Sequence, residues 1–489
     1  MIHGMGGQRP LDTLTRFVDS ALEPDVAGKR QFYSRPESVT GSFESRRFLA
    51  PYVDLEADGD GTERVRPQTE FFEYHWADKM QGNRLDDLWP TFRRMVLCRP
   101  TRVPAGLRGV WLAAWLVIVG LGWAVGWGPL SGVWRPGDDL ATSLVASLVS
   151  GALASAALSY VVSRLLPLWL TASFVDVVRY LDTSPRSYGV RRDIRKGLVE
   201  MLQALHARSA RGDQHYDRIV IVAHSLGAYI AYDAIAYLWG LTNAETASAG
   251  ATDLAGLDDL EQMAHAVERG ESDATNYQDA QALLFEGLRA TGNPWLITDF
   301  VSVGTPMYFA DRLLPGKGAL GFERRKERHE LPTCPPLIEE EGNGPTRGRT
   351  RYSWRKKDGN RQVLHEGAPF AVVRWTNVFF PTRGGFLGDW FGGALAPLFG
   401  AGIRDVEVTG NTPQRLMPAW AHSLYFSFPD DVSPDSVTEA LRDAMGLPRR
   451  KKTRPAPGAV AGSGTNEGRT RPSSGDRPAS EQATAIGAK

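Results

Sequence analysis

The sequence predicts an α/β fold in which a mostly parallel sheet, flanked by helices, is interrupted by a two-helix transmembrane hairpin. A short β-branched run over residues 219–222 leads directly into a helical segment, which is typical of a buried parallel strand and its crossover. Residues 295–306 and 371–380 have strand-like composition later in the chain. Two long uncharged segments, 109–134 and 140–163, predict the hairpin. Strands that alternate with helices favour a parallel sheet, and the uncharged pair marks the interruption.

Composition places the chain among globular proteins and excludes several functional classes. With 489 residues, 42% hydrophobic and 23% charged, it can form one large domain or two to three smaller ones. Lys+Arg and Asp+Glu each number 56, and this zero net charge argues against a nucleic-acid coat, which needs surplus positive charge. The two cysteines, Cys98 and Cys334, cannot form a disulfide framework or a cysteine zinc cluster. We expect no cofactor and no metal site.

The uncharged segments 109–134 and 140–163 are each long enough to span a bilayer core, which needs roughly 20 apolar residues. Only residues 135–139 separate them, so both flanks would end on the same side of the membrane. Arginines precede the hairpin between positions 93 and 108, and basic residues follow it between 164 and 196, which places both flanks in the cytoplasm. The sequence therefore predicts a protein of the cytoplasmic (inner) membrane with bilayer lipid as a partner. The alternative is a buried helical hairpin within a soluble protein.

Composition changes abruptly at the C-terminal end. Residues 447–489 are rich in Pro, Gly, Ser, Thr and Ala, contain no aromatic residue and are predicted to be disordered. Residues 449–489 carry nine basic and three acidic residues, so the tail has a charge of +6 and the remaining chain a charge of −6. The basic cluster 449–452 either contacts anionic lipid or is simply solvated. The predicted organisation is a first part of the α/β domain, the hairpin, the main part of the domain and the tail, at 1–106, 107–166, 167–446 and 447–489.

The turn around Ser225 carries the strongest chemical signal. A strand ending at Val222 leads into Ala223-His224-Ser225-Leu226-Gly227 and then into a helix over 228–237. A serine on a sharp strand-to-helix turn, with a small residue two positions to each side, is typical of a nucleophile elbow. Ser225 is therefore the predicted nucleophile, at a helix N-terminus whose dipole favours negative charge. His224 is predicted to be a structural neighbour and not the base, because adjacent residues on a tight turn point apart.

A second motif, His3-Gly4-Met5-Gly6-Gly7-Gln8, precedes the strand of the nucleophile. A dinucleotide-binding loop is excluded, because Arg9 stands where the G-x-G-x-x-G pattern has its third glycine. A turn of this kind instead offers a backbone N–H to an oxyanion, and we predict Met5 as one donor and Leu226 as the other. Only two residues precede the motif, so either the strand that positions it is truncated or the true start lies upstream.

These motifs resemble those of the α/β-hydrolase family, and more narrowly those of bacterial lipase-like serine hydrolases. The resemblance covers residues 1–428 in pieces, with the hairpin as an insertion. Residues 295–306 look like a later strand of such enzymes, which commonly ends in Gly-Ser/Thr-Pro, and 371–380 looks like the next strand. Residues 421–426 are similar to the late histidine segment of the family.

The resemblance implies a catalytic triad of Ser225, Asp389 and His422, because their chain order matches the nucleophile, acid, histidine order of the family. Asp405 and Asp311 also follow predicted strands and remain alternatives for the acid. The implied activity is that of a serine hydrolase that cleaves carboxylic esters, with lipid or phospholipid acyl esters as expected substrates.

Other functions stay open. The same constellation performs thioesterase and acyltransferase chemistry, and a catalytically inactive member of the fold would act as a membrane interaction module. Residues 241–287 and 321–367 are predicted to be insertions that either cover the site as a lid or lie on the surface without a function.

Overall fold

A computed structural model of the chain describes part of the sequence. The described residues are 1–5, 9–22, 32–37, 39, 45–51, 53–55, 64–66, 68–80, scattered positions from 97 to 120, 176–182, 185–208, 214–245, 254–314, 319–341, 348–355, 362–384, 387–409, 421–426 and 437–447. The predicted span 140–163, most of the span 109–134 and the tail from residue 448 onward lie outside them. The chain divides into two units, Met1–Pro448 and Arg449–Lys489, and only the first contains described residues.

The described chain contains both strands and helices. The strands are β1 (Tyr33–Pro36), β2 (Arg46–Ala50), β3 (Val53–Leu55), β4 (Arg64–Arg66), β5 (Thr69–Phe71), β6 (Ile219–His224), β7 (Ile297–Val303), β8 (Glu339–Glu341), β9 (Gly348–Thr350), β10 (Ser353–Arg355), β11 (Gln362–Leu364), β12 (Arg374–Phe379) and β13 (Arg404–Glu407). The helices are α1 (Asp12–Ala21), α2 (Pro185–His206), α3 (Leu226–Thr242), α4 (Leu257–Glu268), α5 (Ala274–Ala290), α6 (Ala310–Leu313), α7 (Ala319–Glu327), α8 (Ala396–Phe399) and α9 (Val437–Ala444).

Four parallel strands form the central sheet in the order β13-β12-β7-β6. Each later strand is added on the same side of the one before it, as expected when helical crossovers connect parallel neighbours. Strand β7 is buried along its whole length, and its one charged residue, Asp299, pairs with Arg374 at 2.8 Å. The sheet and its helices confirm the predicted α/β class.

The sheet continues beyond β6 through a single residue, Ile2. Its N–H donates to the Val222 carbonyl at 2.8 Å, and its carbonyl accepts the His224 N–H at 3.0 Å, so Ile2 lies parallel to β6. Tyr74 forms the next bridge outward. The strand expected before the first motif is therefore one residue long, and it holds the chain at residues 3–5 beside the end of β6.

The aromatic-rich residues 71–76 do not form one strand. Strand β5 ends at Phe71 and pairs antiparallel with β2, whereas Tyr74 bridges Ile2 in the parallel direction. The chain changes its neighbour between these two residues, so one continuous strand cannot form.

Alternate residues of the central strands pack into two separate apolar clusters, one on each face of the sheet. One cluster contains Ile221 and Phe300 together with residues of α2, α3 and α5. The other contains Val222 and Val301 together with residues of α1 and α9. Helices therefore cover both faces, and each fully buried large side chain stabilises the fold by roughly 1.5–3 kcal/mol. The candidate functional site lies at the carboxyl ends of the strands.

In the part of the chain that the structure describes, no helix is both long enough and apolar enough to cross a bilayer. The described positions from 108 to 120, at the start of the first predicted span, are helical. Leu112, Leu116 and Val119 are exposed there, one helical turn apart on a shared face. The hairpin itself stays a prediction.

Candidate active site

Ser225 lies at the junction between β6 and α3 in a backbone conformation that side-chain-bearing residues rarely adopt. Its φ is 55° and its ψ is −123°, at a cost of about 1–3 kcal/mol that the surrounding structure must offset. The Ser225 N–H donates to the Val303 carbonyl at 2.9 Å, which fixes the turn to the end of β7. The serine therefore sits on a strained, well-held turn, as the sequence predicts.

The small residue two positions after Ser225 has a steric explanation. A Cβ atom at Gly227 would lie 2.6 Å from the His3 carbonyl oxygen and 2.7 Å from that of Ile2. Glycine at this position lets the start of α3 pack directly against the N-terminal segment. The nucleophile and the first motif are brought together in this way.

His422 contacts the serine and the predicted acid at the same time. Its Nε2 is 2.9 Å from Ser225 Oγ, and its Nδ1 is 3.1 Å from Asp389 Oδ1 and 3.2 Å from Oδ2. Because a carboxylate only accepts, the imidazole proton lies on Nδ1, and Nε2 is left as the acceptor for the serine hydroxyl. This is the geometry that a general base needs to remove a serine proton.

Asp389 is fully buried, and both of its oxygens are hydrogen-bonded. Oδ1 accepts the Phe391 N–H at 2.8 Å, and Oδ2 accepts the Tyr425 hydroxyl at 2.7 Å. The structure thus brings together Ser225, Asp389 and His422, whose positions in the sequence span almost 200 residues.

The two alternative acids have other partners. Asp405 accepts the Leu395 and Ala396 N–H groups, each at 2.9 Å, and therefore holds the start of α8, while burial raises its pKa. Asp311 pairs with Arg312 at 2.9 Å. Among the described residues, His422 is the histidine that contacts an aspartate next to the serine, and that aspartate is Asp389.

The predicted oxyanion donors flank Ser225. A Cβ atom at Gly4 would lie 3.1 Å from the Ser225 Cβ, so the turn that carries Met5 lies directly against the nucleophile. Met5 and Leu226 are buried, and neither N–H donates to an acceptor among the described residues. The Leu226 N–H is the first of helix α3, where backbone N–H groups have no partner within the helix, and two N–H groups beside a serine can hold an oxyanion.

Two further buried histidines support this arrangement and are held neutral. His3 donates from Nδ1 to the Gly4 carbonyl at 2.8 Å and accepts the Trp76 N–H on Nε2 at 3.1 Å, and burial lowers its pKa to about 3. His224 donates from Nε2 to the His422 carbonyl at 2.9 Å, and burial lowers its pKa well below the usual range. His224 is thus a structural neighbour of His422, as predicted from the sequence.

The three side chains of the candidate site are buried. Ser225 and Asp389 are 0% exposed and His422 is 2% exposed, while the Phe391 ring packs 4.9 Å from the imidazole. Water exclusion strengthens every charge interaction within such a site. The described residues contain no cluster of three or more His, Cys, Asp or Glu side chains that could hold a metal ion.

Sequence reasoning missed Tyr425 and Trp76. Tyr425 reaches Asp389 across 36 positions, and Trp76 reaches His3 across 73. No local pattern in the sequence signals contacts over such separations. Tyr425 does follow His422 by three residues.

Comparisons with protein-family models, with curated proteins and with solved structures each found no significant match. The geometry of the site is therefore what indicates a function for this chain.

Proposed function

We propose that this chain is a membrane-associated serine hydrolase of the α/β-hydrolase type that cleaves carboxylic esters through an acyl-enzyme. The observation that carries the proposal is the hydrogen-bonded line from Ser225 Oγ through His422 to Asp389, with distances of 2.9 and 3.1 Å. The strained turn at Ser225 and the two N–H groups beside it support the same proposal.

Each group has one task in the proposed reaction. His422 Nε2 takes the proton of Ser225 as Oγ attacks the ester carbonyl carbon, and Asp389 stabilises the imidazolium that forms. The N–H groups of Met5 and Leu226 donate to the oxyanion of the tetrahedral intermediate. His422 then protonates the leaving alcohol, and a water molecule, activated by the same histidine, releases the acid and restores the serine.

The proposed substrates are lipid or phospholipid acyl esters. This follows from the predicted hairpin, which would hold the catalytic domain at the cytoplasmic face of the inner membrane. The chemistry of the site would serve thioester hydrolysis or acyl transfer equally well, so the substrate test includes those esters.

A fluorophosphonate probe tests the nucleophile. We expect the full-length protein to be labelled on Ser225 and the Ser225→Ala variant to lose the label. Ser302→Ala is a matched control, because Ser302 is a fully buried serine on the neighbouring strand, hydrogen-bonded to Asn377 at 3.1 Å. A folded wild type that resists the probe, or undiminished labelling of Ser225→Ala, refutes the proposal.

Hydrolysis assays separate an enzyme from an inactive interaction module. Short p-nitrophenyl esters, p-nitrophenyl thioesters and phospholipids in bilayers should be compared between wild type, His422→Ala and Ser225→Ala. We expect both variants to lose about 10³-fold or more in kcat. A preference for bilayer lipid over soluble esters supports the lipid substrate, and equal rates in all three proteins indicate a module without catalysis.

A further inference from the structure

Tyr425 lies beside the proposed triad without touching the serine. Its hydroxyl is 2.9 Å from the Phe380 backbone nitrogen and 2.7 Å from Asp389 Oδ2. A backbone N–H can only donate, so the hydroxyl accepts from Phe380 and directs its own proton to the carboxylate. The direction of both hydrogen bonds is fixed by this chemistry.

The Tyr425 proton stays on the oxygen. Burial, together with the charge of Asp389, raises the pKa of Tyr425 well above its usual range. The hydroxyl therefore remains a donor throughout the pH range in which the protein would work.

Two glycines leave the room that this contact needs. A Cβ atom at Gly392 would lie 2.8 Å from Asp389 Oδ2 and 2.9 Å from the Tyr425 hydroxyl oxygen. A Cβ atom at Gly304, which follows β7 with a φ of +51°, would lie 2.4 Å from the Tyr425 ring. Any other residue at either position would push the tyrosine and the aspartate apart.

Tyr425 also connects the histidine segment to the sheet. It follows His422 by three residues, and its hydroxyl binds the backbone at the end of β12, from which the loop to Asp389 departs. One oxygen atom thus links the segment of the base, the strand end and the acid.

We propose that Tyr425 is a positioning residue of the triad, whose hydroxyl fixes the Asp389 carboxylate in the orientation that holds His422 Nδ1–H. This inference rests on the proposed hydrolase function. Without the hydroxyl, the one remaining hydrogen-bond partner of Oδ2 among the described residues would be the imidazole nitrogen at 3.2 Å, which Oδ1 shares. The carboxylate could then rotate about the hydrogen bond from Phe391.

The first test is Tyr425→Phe, which removes one oxygen and keeps the ring packed 4.7 Å from Phe380. We expect kcat for ester hydrolysis to fall about 10- to 100-fold, while KM stays within about threefold. Tyr232→Phe is the matched control, because its equally buried hydroxyl donates to the Pro332 carbonyl at 2.7 Å. That variant should keep its kcat even where it lowers the thermal midpoint.

The second test asks whether Tyr425 acts through Asp389. The rate constant for fluorophosphonate labelling of Ser225 is measured in wild type, Tyr425→Phe, Asp389→Ala and the double variant. We expect Tyr425→Phe to slow labelling about 10- to 100-fold in the wild-type background and less than about threefold when Asp389 is already absent. Equal losses in both backgrounds would overturn the positioning role.

The two proposals fail in different ways. A wild type that is neither labelled nor active overturns the hydrolase function, and the role of Tyr425 with it. A wild type that is labelled, with Tyr425→Phe labelled at the same rate, overturns the role of Tyr425 alone.

Discussion

Asp389 follows strand β12 and Asp405 lies within the neighbouring strand β13, and the two carboxylates have different partners. Asp405 accepts two backbone N–H groups at the start of α8 and the amide of Asn377 at 2.6 Å, so its acceptor positions serve the fold. Asp389 instead keeps both oxygens within 3.2 Å of an imidazole nitrogen. The role of each follows from its partners.

We therefore expect opposite consequences from the same substitution at these two positions. Asp389→Asn should lower kcat by about 10⁴-fold, because the amide favours the wrong imidazole tautomer. Asp405→Asn should leave kcat within a few-fold and lower the free energy of unfolding by about 1–3 kcal/mol, because asparagine has one acceptor oxygen instead of two and part of the N–H donors lose their acceptor. Steady-state kinetics and denaturant unfolding of both variants check this, and the reverse pattern would assign the acid to Asp405.

Buried histidines make stability depend on pH. Burial lowers the pKa of His206 from 6.5 to about 4, so the unfolded chain binds a proton that the folded chain does not between these values. Stability is therefore lost as pH falls from about 6.5 towards 4, with a slope of up to about 1.4 kcal/mol per pH unit for each such group.

The variant His206→Gln tests this linkage away from the proposed site. We expect its free energy of unfolding, measured by denaturant titration from pH 7 to pH 4.5, to depend less steeply on pH than that of wild type. Parallel curves for wild type and His206→Gln would contradict the expected linkage.

In helix α3, the residue at one position determines how closely the helix packs against the N-terminal segment. A Cβ atom at Gly227 would lie within 2.7 Å of the backbone of residues 2 and 3, whereas one at Gly240 would have no heavy atom of the described chain within 4 Å. Both glycines belong to the same helix, so helix propensity favours alanine equally at each.

Alanine should therefore have opposite effects at these two positions. Gly227→Ala should destabilise the protein by more than about 2 kcal/mol and displace the predicted oxyanion donors, because backbone atoms would have to move. Gly240→Ala should stabilise it by up to about 1 kcal/mol. Thermal unfolding and probe labelling of both variants measure this, and similar midpoints for the two would contradict it.

The elements that the sequence can predict are those with a local signature. A β-branched run and a helical pattern predict strand β6 and helix α3, and the structure places them at Ile219–His224 and Leu226–Thr242. Strand β12 begins three residues later than expected, because Pro369–Ala371 forms a 3-10 turn. The one-residue bridge at Ile2 has no periodicity to detect, so its place in the sheet emerges only in three dimensions.

The candidate site can likewise be predicted only in part from the sequence. The turn chemistry around Ser225 predicts the nucleophile, whereas Asp389 and His422 are expected from a resemblance in chain order. The choice among Asp389, Asp405 and Asp311 requires distances, and Tyr425 requires the packing of Gly304 and Gly392 around it. Long-range hydrogen bonds decide these roles, and they leave no short pattern in the sequence.

For the whole molecule, the predicted hairpin at 107–166 determines where the enzyme would act. We expect the full-length protein to sediment with membranes and to resist extraction by alkaline carbonate while dissolving in detergent, because two apolar spans bury their surface in lipid. The variant Val149→Asp, within the second span, should insert less well. Protein that stays in the supernatant without detergent would instead favour a hairpin buried in a soluble fold.

The distance along the chain between the groups of the site has a consequence for protein synthesis. Ser225 and His422 touch in space but are 197 positions apart, and Arg442 reaches back to the Ala21 carbonyl across 421 positions. A growing chain thus contains its nucleophile long before its histidine, and non-local contacts of this kind form late. Any product of premature termination or cleavage upstream of residue 422 lacks His422, so the three side chains of the candidate site come together only in a chain that extends past this residue.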